Sequence, residues 1–185
     1  MNETINNMLN RRSIRSFKAE QIPDDALNAI LETGLYAATS RGREAWFLTA
    51  VQNPVMLKKI RDAACDTLAK AGDEKSLAKS KDPNFSPFYN APTLIIVSGN
   101  DTPNTRIDCA NASQNMCVAA KSLGLGSCYL ASYTQAFLDP AVAAQLKKEL
   151  GIPEEYHPQF GVAVGYANES PAKPERNRSK MHIVK

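Results

Sequence analysis

Apolar positions along this chain switch between two spacings, every three or four residues and continuous short runs. The pattern predicts helices joined by a few short strands. Glu3 to Asn10 places Ile5, Met8 and Leu9 on one side of a helix. A second helix starts at Pro23-Asp24-Asp25, where proline suits the first turn and two acids suit the positive end of the helix dipole. Leu27, Ile30, Leu31 and Leu35 form its stripe. Phe47 to Val51 reads as a strand. Val55 to Ala69 reads as a third helix, with Val55, Met56, Ile60, Ala63, Ala64 and Leu68 inward. Thr93 to Ser98 is a continuous apolar, β-branched run of the kind buried on both faces of a sheet.

Arg106 to Leu123 is the most helical stretch. It carries Ala112, Met116, Ala119, Ala120 and Leu123 and is apolar on several sides, so it belongs at the centre. Gly124 and Gly126 end it, and Ser127 to Ala131 reads as a strand. Pro140 to Leu150 is a shorter helix capped by Gly151, and Phe160 to Tyr166 is a last core strand. The stretch 72–92 has few apolar residues before Phe85 and is expected to form an excursion or lid, with room for a helix near Glu74 to Lys79. The tail 168–185 is polar and basic, an arm that either frays or is held by a partner chain. The sum is one α+β domain over 1–185 with a central sheet; a regular βαβ series needs more strands.

Composition narrows the function classes. A hydrophobic fraction of 43% and a charged fraction of 22% describe an ordinary globular protein. A net charge of +3 is too mild for a nucleic-acid binder. No stretch approaches the ~18 apolar residues of a membrane span, and Met1 to Asn10 lacks the apolar run of a signal peptide. The four cysteines include no C-x-x-C pair and there are only two histidines, so a zinc site is not expected. Cys109 and Cys117 on one helix lie about 12 Å apart, too far for a disulfide. All four cysteines read as reduced thiols of a cytoplasmic protein.

Charge placement says more than charge count. Arg11, Arg12 and Arg15 cluster with Ser13 where the first helix gives way to an extended segment. Two more pairs, Arg41 with Arg43 and Arg176 with Arg178, stand elsewhere. Three guanidiniums and a hydroxyl in five residues match what a phosphate needs, because arginine offers forked, charge-assisted donors. A solvated basic helix end has the same appearance.

Five segments in register carry a resemblance to the FMN-dependent nitroreductase family. They are the opening Arg11-Arg12-Ser13-Ile14-Arg15, the loop Ala37 to Trp46, and Phe88-Tyr89-Asn90-Ala91-Pro92 leading into an apolar strand. The fourth is Ala112 to Ala131, with its Leu123-Gly124-Leu125-Gly126-Ser127 turn, and the last is the pair Arg176 and Arg178. The resemblance implies a nitroreductase-like α+β fold, its central sheet mostly antiparallel and flanked by helices, in an intertwined homodimer with FMN at the subunit interface. It implies that Arg11, Ser13 and Arg15, with Arg12, hold the FMN phosphate and ribityl chain, joined by Arg176 and Arg178. Thr39, Ser40, Arg41 and Gly42 would line the flavin, and Tyr129, Leu130, Ala131 and Ser132 would pass close to its ring.

The implied activity is ping-pong transfer of electrons from NAD(P)H through FMN to nitro compounds, quinones or similar small acceptors. No side chain is required as nucleophile or base, and the sequence holds no G-x-S-x-G, H-E-x-x-H or P-loop. Lacking G-x-G-x-x-G, the chain would receive nicotinamide as a visiting substrate.

The chain departs from the family at the loop. Gly42 stands where an asparagine is usual, and Glu44 and Ala45 where a glutamine and a proline are usual. These departures keep two alternatives open: a specialised FMN enzyme of the same fold (dehalogenation, ring oxidation or flavin modification) and a flavin-free dimeric binding protein. Trp46 reads as the start of a core strand, and Cys128 as a small buried hydrophobe with no basic partner adjoining it in sequence. His157 and His182 read as surface residues.

Overall fold

The run Thr93–Gly99 is buried at all seven positions, because it has a strand on each side and helices over both faces. In the computed structural model, which describes residues 2–185, the strands are β1 (Trp46–Val51), β2 (Thr93–Gly99), β3 (Gly126–Leu130) and β4 (His157–Gly165). They form one sheet in the order β1-β2-β4-β3, antiparallel at every pairing. The helices are α1 (Glu3–Asn10), α2 (Asp24–Leu35), α3 (Pro54–Ala69), α4 (Glu74–Lys81), α5 (Thr105–Ser122) and α6 (Pro140–Leu150).

Alternation along the strands sorts the core into two layers. Ile95, Val97, Val162 and Val164 meet Leu27 and Ile30 of α2 and Cys109, Ala112, Met116 and Ala120 of α5. Leu94, Ile96, Ala163, Cys128 and Leu130 meet Leu57, Ile60 and Ala64 of α3, Leu146 of α6 and Tyr133. Each fully buried aliphatic side chain such as Ile30 or Ile60 contributes about 1.5–3 kcal/mol.

Helix ends follow local chemistry. Asn53 caps α3 by accepting from the N–H groups of Val55 and Met56, and Asp139 does the same for α6. Pro54 and Pro140 follow at the first helical position. Gly151 closes α6 at φ 66°.

The strands start or end one to three residues away from the expected bounds. Val55, expected inward, is 64% exposed. The inward row of α3 runs Leu57, Ile60, Ala64, and Val55 lies about 200° around the helix from Leu57. Leu35 and Leu123, expected in the core, are exposed at helix ends. α1 buries none of its residues, and its stripe of Ile5, Met8 and Leu9 faces outward.

The stretch 72–92 divides in two. α4 lies against α3 and is exposed, whereas Ser86, Pro87 and Phe88 are buried. Among the described residues, no helix is long and apolar enough to cross a membrane.

Candidate functional site

After α1 the chain becomes extended, so side chains from Arg11 to Arg15 alternate. The segment lies along the free edge of β3: Ser13 forms a parallel bridge with Ser127, and the Ile14 N–H donates to Ser127 O at 2.9 Å. Ile14 is buried against Gly126, where an added Cβ would stand 3.0 Å from the Ile14 side chain. That anchor leaves Arg11, Ser13 and Arg15 on the opposite side of the segment. Arg12 turns back instead, its Nη1 donating to the carbonyls of Leu9 and Arg11 at the end of α1.

Arg11, Ser13 and Arg15 gather around Cys128. Burial pushes the Cys128 thiol up, while the guanidiniums of Arg15 and Arg11 and the Ser13 hydroxyl pull it down. No basic residue adjoins Cys128 in sequence, as expected, but the fold brings the guanidiniums of Arg15 and Arg11 toward it. Burial still wins, so the thiol stays protonated, as a buried hydrophobe would. The Arg15 guanidinium carbon lies 6.0 Å from the Tyr89 ring. Tyr89, and next the Cys128 sulfur, raise the Arg15 pKa above the ordinary arginine value. Tyr89 and Asn90 sit at φ 59° and 52°, two successive left-handed residues held by the Ser86 hydroxyl, which accepts from the Phe88 and Asn90 N–H groups. The Arg15 N–H donates to the Glu169 carboxylate. Among the described residues, none of Arg11, Arg12 and Arg15 is in an ion pair. A cavity of about 280 Å³ opens on the Arg12 and Ile14 side of the segment, lined by Arg11, Arg12, Ile14, Lys121, Lys173, Glu169 and the Gly124–Ser127 turn, among others; Ser13 and Arg15 face away from it.

Residues 129–132 leave the end of β3. Leu130 is buried; Tyr129, Ala131 and Ser132 are exposed. The Tyr129 ring packs 5.1 Å from Phe160, whose other neighbour is the Arg106 guanidinium at 5.1 Å. Beneath them the Tyr133 hydroxyl donates to Phe160 O at 2.8 Å. Tyr133 fits because residue 161 is glycine: a Cβ there would lie 2.7 Å from its ring.

The loop Thr39 to Glu44 is built on α5. Thr39 Oγ1 donates to Asp108 Oδ2 at 2.9 Å, and the Ser40 N–H donates to Asp108 Oδ1 at 3.1 Å. Thr39 Oγ1 in turn accepts the Glu44 N–H at 3.0 Å. Asn104 donates to the Ser40 hydroxyl and Asn111 to the Ala38 carbonyl. Inside this frame Arg41, Gly42 and Glu44 adopt φ values of 58°, 65° and 49°. Each left-handed non-glycine residue costs about 1–2 kcal/mol, so the surrounding bonds hold the shape. The side chains of Arg41, Arg43 and Glu44 are exposed.

One chain therefore assembles two separate constellations. The arginine segment is at the edge of the sheet outside β3, and the 39–44 loop leads into β1 at the other edge. Along α5, Asp108 under the loop and Cys117 beside Ser127 are about 14 Å apart. Arg176 and Arg178 are exposed in the tail, with no ion pair among the described residues. Asp108 escaped the sequence reading. Its signal was there: it sits on the ridge 108-112-116-120, whose other members are all apolar and buried.

Comparison with known proteins gives this geometry a context. The profile of the nitroreductase family matches residues 8–166. The FMN reductase (NADPH) of Bacillus subtilis is 30% identical, over 98% of this chain and 73% of that protein. The NADPH-flavin oxidoreductase of Vibrio harveyi is 27% identical, over all of this chain and 73% of that protein. Among solved structures, a nitroreductase from Bacteroides fragilis with bound FMN superposes with a TM-score of 0.92 at 36% identity, over the whole of both chains. A nitroreductase from Desulfitobacterium hafniense, also with bound FMN, gives 0.92 at 29% identity over the whole of both chains. By its profile, its relatives and its fold, this chain belongs to the nitroreductase family.

Proposed function

We propose that this chain is an FMN-dependent oxidoreductase. It takes electrons from NAD(P)H, passes them to nitro compounds, quinones or similar small acceptors, and works as a homodimer. The observation that carries the reading is the juxtaposition of Arg11, Ser13 and Arg15 along the edge of β3, with guanidiniums in no ion pair among the described residues. That donor set fits a phosphate monoester joined to a polyol: forked cations for the dianion, a hydroxyl for the chain. The B. fragilis and D. hafniense proteins bind FMN, and the B. subtilis and V. harveyi proteins are NADPH-dependent.

Bound FMN would supply the redox chemistry, accepting hydride from a reduced nicotinamide and returning electrons to an acceptor at the same face. The chain's own residues bind and orient. Arg11 and Arg15 hold charge at the phosphate end. Ala131 and Ser132, exposed at the end of β3, offer backbone groups to the ring. Tyr129 with Phe160 forms an aromatic ledge beside them.

The separation of the two constellations supports the homodimer. A second copy brings the 39–44 loop of one chain to the arginine segment of the other. α1 with Ile5, Met8 and Leu9 exposed, the free edge of β1, and the apolar tail residues Met181, Ile183 and Val184 are surfaces such a partner would cover. Arg176 and Arg178 would then reach the phosphate from the tail. The four free cysteines fit a reducing compartment, the cytoplasm.

Steady-state assay of the purified dimer tests this reading. Oxidation of NADPH or NADH with a nitroaromatic or quinone should give parallel double-reciprocal lines. FMN-loaded protein that oxidises neither nicotinamide with any such acceptor would refute it.

A further inference from the structure

Asp108 is 2% exposed and is the only charged side chain in the buried set among the described residues. It has no ion-pair partner there. Everything that satisfies it comes from one loop: the Thr39 hydroxyl at 2.9 Å on one oxygen and the Ser40 N–H at 3.1 Å on the other. The proton placement follows from the neighbours. Thr39 Oγ1 already accepts the Glu44 N–H, so its own proton points to Asp108. A buried acceptor in no ion pair among the described residues needs those donors, and the loop needs the acceptor to keep Arg41, Gly42 and Glu44 left-handed. Carboxylate and loop thus fix one another.

Building on the function proposed above, we infer that Asp108 is a positioning residue, which locks the Thr39–Glu44 loop in the shape that meets the flavin ring across the dimer. It touches no reacting atom. It acts through Thr39 and Ser40, with α5 as the rigid base and Asn104 and Asn111 steadying the loop on either side. Glu44 and Arg41 then face the ring and the acceptor in a fixed orientation, so loss of the lock changes ring contacts and acceptor alignment and leaves the phosphate grip of Arg11 and Arg15 intact.

The test uses the FMN-loaded dimer and four variants: Asp108→Asn, Thr39→Val, Thr39→Ser, and the double variant Asp108→Asn with Thr39→Val. Asparagine keeps the shape but replaces one acceptor by a donor, so its amide N–H either meets the Ser40 N–H donor to donor or forces the Thr39 hydroxyl to turn its proton away and accept instead. The visible absorption bands of the bound flavin should move toward those of free FMN in Asp108→Asn and Thr39→Val. Their kcat/KM for nitroaromatic acceptors should fall about tenfold or more, the scale of a small misplacement. Thr39→Ser, which keeps the hydroxyl, should match the wild type, and the double variant should be no worse than the poorer single one. If Asp108→Asn fails to fold, the Thr39→Val and Thr39→Ser pair decides. Wild-type spectra and kcat/KM within twofold in Thr39→Val, or a Thr39→Ser variant as impaired as Thr39→Val, would overturn the inference. A wild-type chain that takes up no flavin would instead overturn the reading on which it rests.

Discussion

Ser13 and Ser127, 114 positions apart in the sequence, pair as a parallel bridge at the outer edge of β3. Through that bridge the rigid sheet sets the direction of the guanidiniums that flank Ser13. The strand-like alternation makes neighbouring arginines unequal. Arg11 and Arg15 face Cys128 with Ser13, while Arg12 bonds to the carbonyls that end α1.

Arg12→Ala should therefore differ from Arg11→Ala. It removes hydrogen bonds to backbone carbonyls at a helix end and should lower stability by about 0.5–1.5 kcal/mol, with FMN affinity within about threefold of wild type. Urea denaturation and flavin titration on the same preparation check both halves of the statement.

Much of this was legible beforehand. Thr93 to Ser98 announced a buried central strand because it is apolar without a break. Asn53-Pro54, and Asp139-Pro140 with Gly151, announced helix ends because caps are local chemistry. Arg11, Ser13 and Arg15 were legible as donors. What they face was not: Tyr89, Cys128 and Glu169 lie 74 to 154 positions further on, and only the fold brings them near. Asp108 was passed over because a polar residue on a helix ordinarily points to solvent, and its partners lie 68 and 69 positions upstream. The outward stripe of α1 illustrates a third limit, since periodicity shows that a face is apolar and not which chain covers it.

Leu9→Asp should convert the dimer to monomer and abolish FMN retention together. Leu9 is 46% exposed beside Met8 and Ile5, so a carboxylate there costs the single chain little and the subunit interface much. Sedimentation velocity with flavin absorbance reads mass and cofactor in one run. A monomer that retains FMN would break the link between assembly and site.

Gly161→Ala should destabilise the protein by about 1–3 kcal/mol. The new methyl group would meet the Tyr133 ring at 2.7 Å and the Ile95 carbonyl at 3.2 Å, and the second contact is backbone that cannot turn aside. Because Tyr133 lies directly after Ala131 and Ser132, FMN affinity should fall as well. Thermal denaturation with and without FMN checks this.

Stability should decline in alkali through the buried thiols. Burial pushes Cys109 up to about 12 and Cys117 up to about 11 from an ordinary value of 9.0. Their folded-state pKa values are raised, so their contribution is fully present below pH 9 and is lost as pH rises toward 11–12. In that window the unfolded chain releases protons that the folded chain keeps, and the loss is roughly 1 kcal/mol per pH unit for each thiol. Urea midpoints at pH 8 and pH 10.5 should differ less in a Cys109→Ala, Cys117→Ala double variant than in the wild type.

FMN titration by fluorescence quenching, run on the wild type and on Arg11→Ala and Arg15→Ala, addresses the phosphate site directly. The wild type should bind one FMN per chain with a Kd below about 1 μM. Each variant should bind about 10- to 150-fold more weakly, the loss of charged hydrogen bonds worth about 1.5–3 kcal/mol. Riboflavin, which has no phosphate, should bind all three proteins alike. A wild type that takes up no FMN, or variants that hold it as tightly as the wild type does, would contradict the account.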